Sequence, residues 1–237
     1  RTRPVGTVTL ENRGEEAISE ITVTAELRRY SDFPTETALE RPLAPGEAVE
    51  LPFRLILNSN VFEVEEDLPL QLRLQVFGET GSREVAAEAT TGFTLYRRTA
   101  LNWRETERLA GFVTPNEGNV SRFALAAANS APDMEPPGLS RLLLRAGRIG
   151  DALGLRRLTY VEDPQTPISE ILGRTDVVDT VRLPRTTLLS RGGDCDDTTA
   201  LLCSLYEAAG IGTAIVTTPD HVLMAFGTGE PPTNRLL

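Results

Sequence analysis

Lysine is absent from this chain: all 24 basic residues are arginine. Histidine and tryptophan occur once each, cysteine and methionine twice each. Two cysteines are too few for a disulfide scaffold, and with one histidine they form no zinc-type spacing. No apolar run approaches the ~20 residues that cross a bilayer, so no transmembrane segment is expected. Neither a Walker loop nor a dinucleotide-binding glycine pattern occurs. No cofactor is therefore expected. Basic charge is in deficit, since 24 arginines against 34 acidic residues leave −10. Phosphate recognition needs a basic stripe, so nucleic acid is not an expected partner. Without lysine, the chain cannot supply a lysine amine for its own cross-linking. The arginine bias itself is read as coding background.

What is present suits a folded protein. The chain has 237 residues, 40% of them apolar, enough for one large or two ordinary domains. It begins without Met, inside a stretch that already reads as a strand, so an excised fragment is expected.

Residues 1–96 alternate at period two. Ile21, Val23, Ala25 and Leu27 do so with polar residues between them; Val49 to Leu57 and Leu70 to Val76 repeat the pattern. Turn chemistry separates the runs at Asn12-Arg13-Gly14, Ala44-Pro45-Gly46 and residues 78–82. An antiparallel β-sandwich is the expectation. Residues 8–27, followed by Leu43-Ala-Pro-Gly-Glu, resemble small immunoglobulin-like modules of bacterial envelope proteins. That resemblance implies a location in the cell envelope or periplasm. Residues 1–96 hold 9 Arg and 17 acids, a balance of −8, against 15 and 17 in residues 97–237. This acidity is read as a solvated surface.

From residue 97 the period changes. Residues 103–112 read as a short helix capped by Asn102, 120–128 as a second helix, and 139–153 as an amphipathic helix ending before Gly154. Pro132, Pro136 and Pro137 mark a loop. Residues 158–161 read as a strand and 162–187 as a long connection. Trp103 and Tyr160 are expected to pack the helical layer.

The informative stretch is Arg191-Gly192-Gly193-Asp194-Cys195-Asp196-Asp197, followed by an apolar run to Gly210. Asp194 suits an N-cap and Gly210 the position after a helix end. Cys195 then occupies the first turn of a buried helix. Free backbone N–H groups and the dipole there lower a thiol pKa and can hold an oxyanion. Asp194, Asp196 and Asp197 act in the opposite sense. These acids are read as a cap and first-turn carboxylates rather than a metal cluster, so no metal is expected. Asp197 is a candidate to hold the glycine turn, and Arg191 is read as solvated, or as a partner for a substrate carboxylate. His221, 26 residues after Cys195, opens a β-run behind Pro219-Asp220. A base beside a thiol is what acyl transfer through cysteine needs. Cys203 lies roughly 12 Å along the helix from Cys195, too far for a disulfide, and is read as core.

Gly-Gly-Asp-Cys-Asp-Asp, an apolar helix, Ala-Gly-Ile, a strand and Asp-His-Val resemble the transglutaminase-like, papain-related core, in particular the bacterial transglutaminase-like cysteine peptidases. The likeness covers roughly residues 139–227 and is sharpest over 184–226. It implies Cys195 as nucleophile and His221 as its base, a sulfur–nitrogen separation of about 3–5 Å, and a protein or peptide substrate. Arylamine N-acetyltransferases share Arg-Gly-Gly-x-Cys, but the rest of the chain does not follow their layout. The family's third residue is an acid on the strand after the histidine. Here the only acid after His221 is Glu230, before Pro231-Pro232, a poor setting for a central strand. The acid is expected beyond Leu237.

The expected fold is therefore α+β: an immunoglobulin-like sandwich at 1–96, a helical connector at 97–137, and a transglutaminase-like core at 138–237, truncated at its C-terminus. The expected function is thiol-dependent acyl transfer or hydrolysis at a peptide or isopeptide-type amide. The alternative is a non-catalytic binding or scaffold module of a larger envelope protein.

Overall fold

A computed structural model of the chain describes residues 3–81, 83–131, 139–162, 168–171, 174 and 177–230. Helices and antiparallel sheets place it in the α+β class. It divides into two compact units, Arg1–Arg98 and Thr99–Leu237.

The first unit holds β1 (Gly6–Glu11), β2 (Ser19–Leu27), β3 (Thr35–Ala38), β4 (Ala48–Phe53), β5 (Leu68–Thr80) and β6 (Arg83–Leu95). Strands β1 and β4 form one antiparallel pair, with Val8 opposite Leu51. The other four make a sheet of order β3-β2-β5-β6. Alternation decides the faces. Ile21, Val23, Ala25 and Leu27 of β2 are all buried, and they share one apolar cluster with Leu10, Leu51 and Phe53 from the first pair. The turn at Asn12 is made by its own side chain: Nδ2 donates to the carbonyls of Glu16 and Leu43 at 2.8 and 2.9 Å, and Oδ1 accepts from the Gly14 N–H at 2.9 Å.

Two strands escaped the sequence pattern. β3 has four residues, and β6 is exposed along most of its length, so no buried alternation marks it. Pairing with β5 along its whole length is what makes β6 a strand. The turn expected over 78–82 starts later, because Gly78, Glu79 and Thr80 still pair with β6.

The second unit contains β7 (Ala100–Leu101), a 3-10 helix at Thr106–Phe112, α1 (Gly118–Ala128), α2 (Arg141–Leu155), β8 (Thr159–Tyr160), α3 (Ile168–Ile171), β9 (Asp179–Thr180), α4 (Pro184–Ser190), β10 (Gly192–Gly193), α5 (Cys195–Ala208), β11 (Thr213–Thr218) and β12 (His221–Phe226). Helix α5 is the centre. Its Leu201, Leu205 and Tyr206 are buried with Val120 and Ala124 of α1 and Ile149 of α2. At its other end Cys195 and Ala200 are buried with Leu101, Trp103, Leu109, Phe112 and Val222. The segment read as a connector thus contributes α1 and Trp103 to the packing around α5. A helix buried on most sides must satisfy its polar residues internally. Ser204 donates to the Ala200 carbonyl at 2.7 Å and accepts from the Thr114 N–H at 2.9 Å.

Several boundaries differ from expectation for local reasons. The first helical turn begins at Thr106 rather than at Trp103, and the side chain of Asn102, expected as its cap, accepts from the Arg104 N–H at 3.0 Å. Helix α2 runs through Gly154 and stops at Leu155, before Arg157 at φ 58°. Within 162–187 the described residues include α3, β9 and the start of α4. The loop expected at Pro132, Pro136 and Pro137 lies outside the described residues. Among the described residues, no helix is long and apolar enough to cross a membrane.

Candidate functional site

Helix α4 opens with Pro184 in its first turn, where the missing N–H costs nothing, and ends at Arg191 in the left-handed region, φ 60°. The two glycines of β10 follow and pair in parallel with β8, Gly193 opposite Tyr160. Glycine is required here. A Cβ on Gly193 would stand 2.6 Å from Cβ of Asp197. Asp194 then caps α5 by accepting the Asp197 N–H at 3.3 Å. Thr198 returns a hydroxyl to the Asp194 carbonyl at 2.6 Å. Cys195 is the first helical residue, and Gly210 follows the helix end at φ 79°.

Cys195 is buried, 4% exposed. The backbone N–H groups of Val222 and Asp196 are directed at its sulfur and favour the thiolate. They lose. Burial, then the neighbouring Asp196 and Asp194 carboxylates, push the thiol up to about 11. Cys203 is also buried and its thiol is also raised, chiefly by burial. Both cysteines are free.

His221 opens β12 opposite Thr218, in the hairpin that packs against α5. Val222 lies in the cluster of Cys195, and its carbonyl accepts the Thr199 hydroxyl at 3.1 Å. The hairpin therefore brings residues 221 and 222 to the first turns of α5. The imidazole itself lies beside Tyr160, with ring centroids 6.5 Å apart and planes tilted by 50°. Among the described residues its ring makes no hydrogen bond, to Cys195 or to any other group.

Tyr160 departs from expectation. It does not pack the helical layer but is 54% exposed, because the β8–β10 pairing sets it opposite Gly193 at the start of α5. Burial raises its phenol pKa, and the Cys195 and Asp194 charges add to the shift. Trp103 does pack as expected, and its Nε1–H donates to Asp179 Oδ2 at 2.8 Å.

The acids divide by role. Asp197 Oδ1 accepts the Arg182 N–H at 2.6 Å, and the Arg182 guanidinium donates to the Gly192 carbonyl at 3.1 Å. Asp197 thus holds residue 182 against the glycine turn. Burial, its largest influence, pushes its carboxyl up to about 6. Asp196 is buried, with Oδ2 unpartnered among the described residues. Burial and the adjacent Asp194 hold its carboxyl well above the usual range. Oxygens of Asp194, Asp196 and Asp197 lie within 4.8 Å of one another, a donor set of the type hard cations use. Two of the three are already engaged, as the cap and with Arg182. Arg191 is exposed, and its carbonyl accepts the Thr159 N–H at 2.9 Å. Glu230 is exposed beyond the end of β12, its N–H on the Thr228 hydroxyl at 3.2 Å. Tyr160, Arg182 and Thr199 were missed by sequence reasoning. Each acts through a partner 10 to 61 positions away, and no local pattern marks such partners.

No known family model matches the chain, and no curated protein is significantly similar to it. Its chemistry must therefore be argued from the site. One end of α5 offers a thiol, an imidazole on the adjoining strand, backbone N–H groups and an exposed phenol.

Proposed function

We propose that this protein performs thiol-dependent acyl chemistry on a peptide or isopeptide-type amide. In this reading the first unit is an immunoglobulin-like sandwich of the bacterial envelope, and the second is a transglutaminase-like, papain-related core. One observation carries it: Cys195 begins the buried central helix and packs in one apolar cluster with Val222, the neighbour of His221. Nucleophile and base thus sit on two elements that pack together. Cys195 Sγ attacks the carbonyl carbon while its proton passes to His221. The tetrahedral intermediate collapses, the C–N bond breaks, and His221 returns the proton to the departing amine. Water or a second amine then resolves the thioester.

A second reading is a non-catalytic binding or scaffold module. It is favoured by the thiol pushed up to about 11 and by the absence, among the described residues, of a hydrogen bond between Cys195 and His221.

p-Nitrophenyl acetate separates the two. Acylation of Cys195 releases one nitrophenolate per chain and adds an acetyl group to the peptide carrying Cys195. The catalytic reading requires this burst, its loss in Cys195→Ser, and its slowing in His221→Ala. No acetylation of Cys195 at any pH at which the protein stays folded would leave the scaffold reading.

A further inference from the structure

We infer that Tyr160 is a positioning residue for His221, its ring holding the imidazole at the edge of the Cys195 site. The inference deepens the acyl-chemistry reading and rests on it for its consequence, though not for the contact itself.

The backbone of Tyr160 is fixed from both sides. The Thr159 N–H donates to the Arg191 carbonyl and the Val161 N–H to the Gly193 carbonyl, each at 2.9 Å. The phenol ring is thereby tied to the residue just before the cap of α5. Its distance from the imidazole, 6.5 Å between centroids at 50°, is within the 4.5–7 Å range of tilted aromatic pairs. The ring belongs to neither apolar cluster of its unit, so packing the core is not its task. Among the described residues, the phenol oxygen makes no hydrogen bond. The contact is made by the ring and not by the hydroxyl.

The imidazole has little else to hold it. Among the described residues no hydrogen bond fixes its χ angles, and His221 is only half-buried at the start of a strand. A base free to rotate spends only part of its time where it can take a proton from Cys195. Tyr160 narrows that freedom by occupying one side of the ring.

Histidine occurs once in the chain, so a single imidazole Cε1–H signal reports on His221 without assignment. In the wild-type protein this signal is expected to show a nuclear Overhauser contact to the Tyr160 ring. Tyr160→Phe keeps the ring and should keep the signal where it is. Tyr160→Ala removes the ring and should move the signal toward that of a free histidine; Tyr160→Leu replaces it if the alanine protein does not fold. Iodoacetamide labelling of Cys195, with Cys203 as internal control, should slow about tenfold in Tyr160→Ala and recover in Tyr160→Phe, part of the ~100-fold or more that a positioned base supplies. Absence of the Overhauser contact, or the same His221 signal in the Phe and Ala proteins, overturns the inference. An intact contact with labelling unaffected by His221→Ala refutes the acyl-chemistry reading instead.

Discussion

Thr199 donates its hydroxyl to the carbonyl of Val222 at 3.1 Å, tying the first turns of α5 to the residue that follows His221. Both residues are buried. Thr199→Val keeps the shape and leaves that carbonyl without its hydroxyl donor, at a cost of about 1–3 kcal/mol. Urea unfolding with an unchanged slope should show the loss. The same variant should change Cys195 labelling, because the Val222 N–H is directed at that sulfur.

Cys195 should behave as a thiol at neutral pH. Its value is pushed up to about 11, so labelling by iodoacetamide should be slow near pH 7 and climb steadily toward pH 11. Peptide mapping by mass spectrometry across that range measures it. A rate that levels off below about pH 8 would contradict the burial argument.

Asp197 links stability to pH in an uncommon direction for a carboxylate. Its folded value of about 6 lies above the ordinary 3.8, so the folded protein holds the proton more tightly than the unfolded chain. Stability is full below the unfolded value. It declines as pH rises toward the folded value and stays lower above it. The loss is on the order of 3 kcal/mol at neutral pH. Asp197→Asn retains the acceptor for the Arg182 N–H and removes the charge. Its melting temperature should exceed that of the wild type at about pH 8, with the difference shrinking toward about pH 4.

Gly193→Ala should be poorly tolerated although alanine suits most backbones. The added carbon meets Asp197 Cβ at 2.6 Å, Asp197 Oδ2 at 2.8 Å and Thr187 Cγ2 at 3.1 Å. Asp197 Cβ is rooted in the first turn of α5 and cannot swing aside. Overpacking of this type costs about 1–3 kcal/mol. Calorimetry of the variant measures it, and an unchanged melting temperature would show that the turn can shift as a body.

Helix α5 and the β11–β12 hairpin were legible because their signals are local: an aspartate cap, a glycine at the helix end, an apolar face and a turn at residues 219–220. The alternating runs of β2, β4 and β5 were legible for the same reason. Of the two-residue strands, β8 was legible within the run 158–161. β7, β9 and β10 were not, since each exists only through a distant partner. Tyr160 was nevertheless misplaced, because its exposure follows from the pairing of β8 with β10. The state of the thiol was undecidable locally. Dipole, amides and acids around Cys195 have opposite signs, and the depth of burial that settles the balance comes from Leu101, Trp103, Phe112 and Val222, far off in the chain.

The parallel ladder of β8 and β10 also has a kinetic side. It joins Thr159 to Gly192, 33 positions apart, whereas α5 and its hairpin are built from neighbours in the chain. Closing a longer loop costs little equilibrium stability, about 0.6 kcal/mol per doubling, but it lengthens the search. The helix should therefore form ahead of the ladder during refolding. Tyr160 then reaches the imidazole last, and stopped-flow helical dichroism should run ahead of the part of the tyrosine signal that Tyr160→Phe removes.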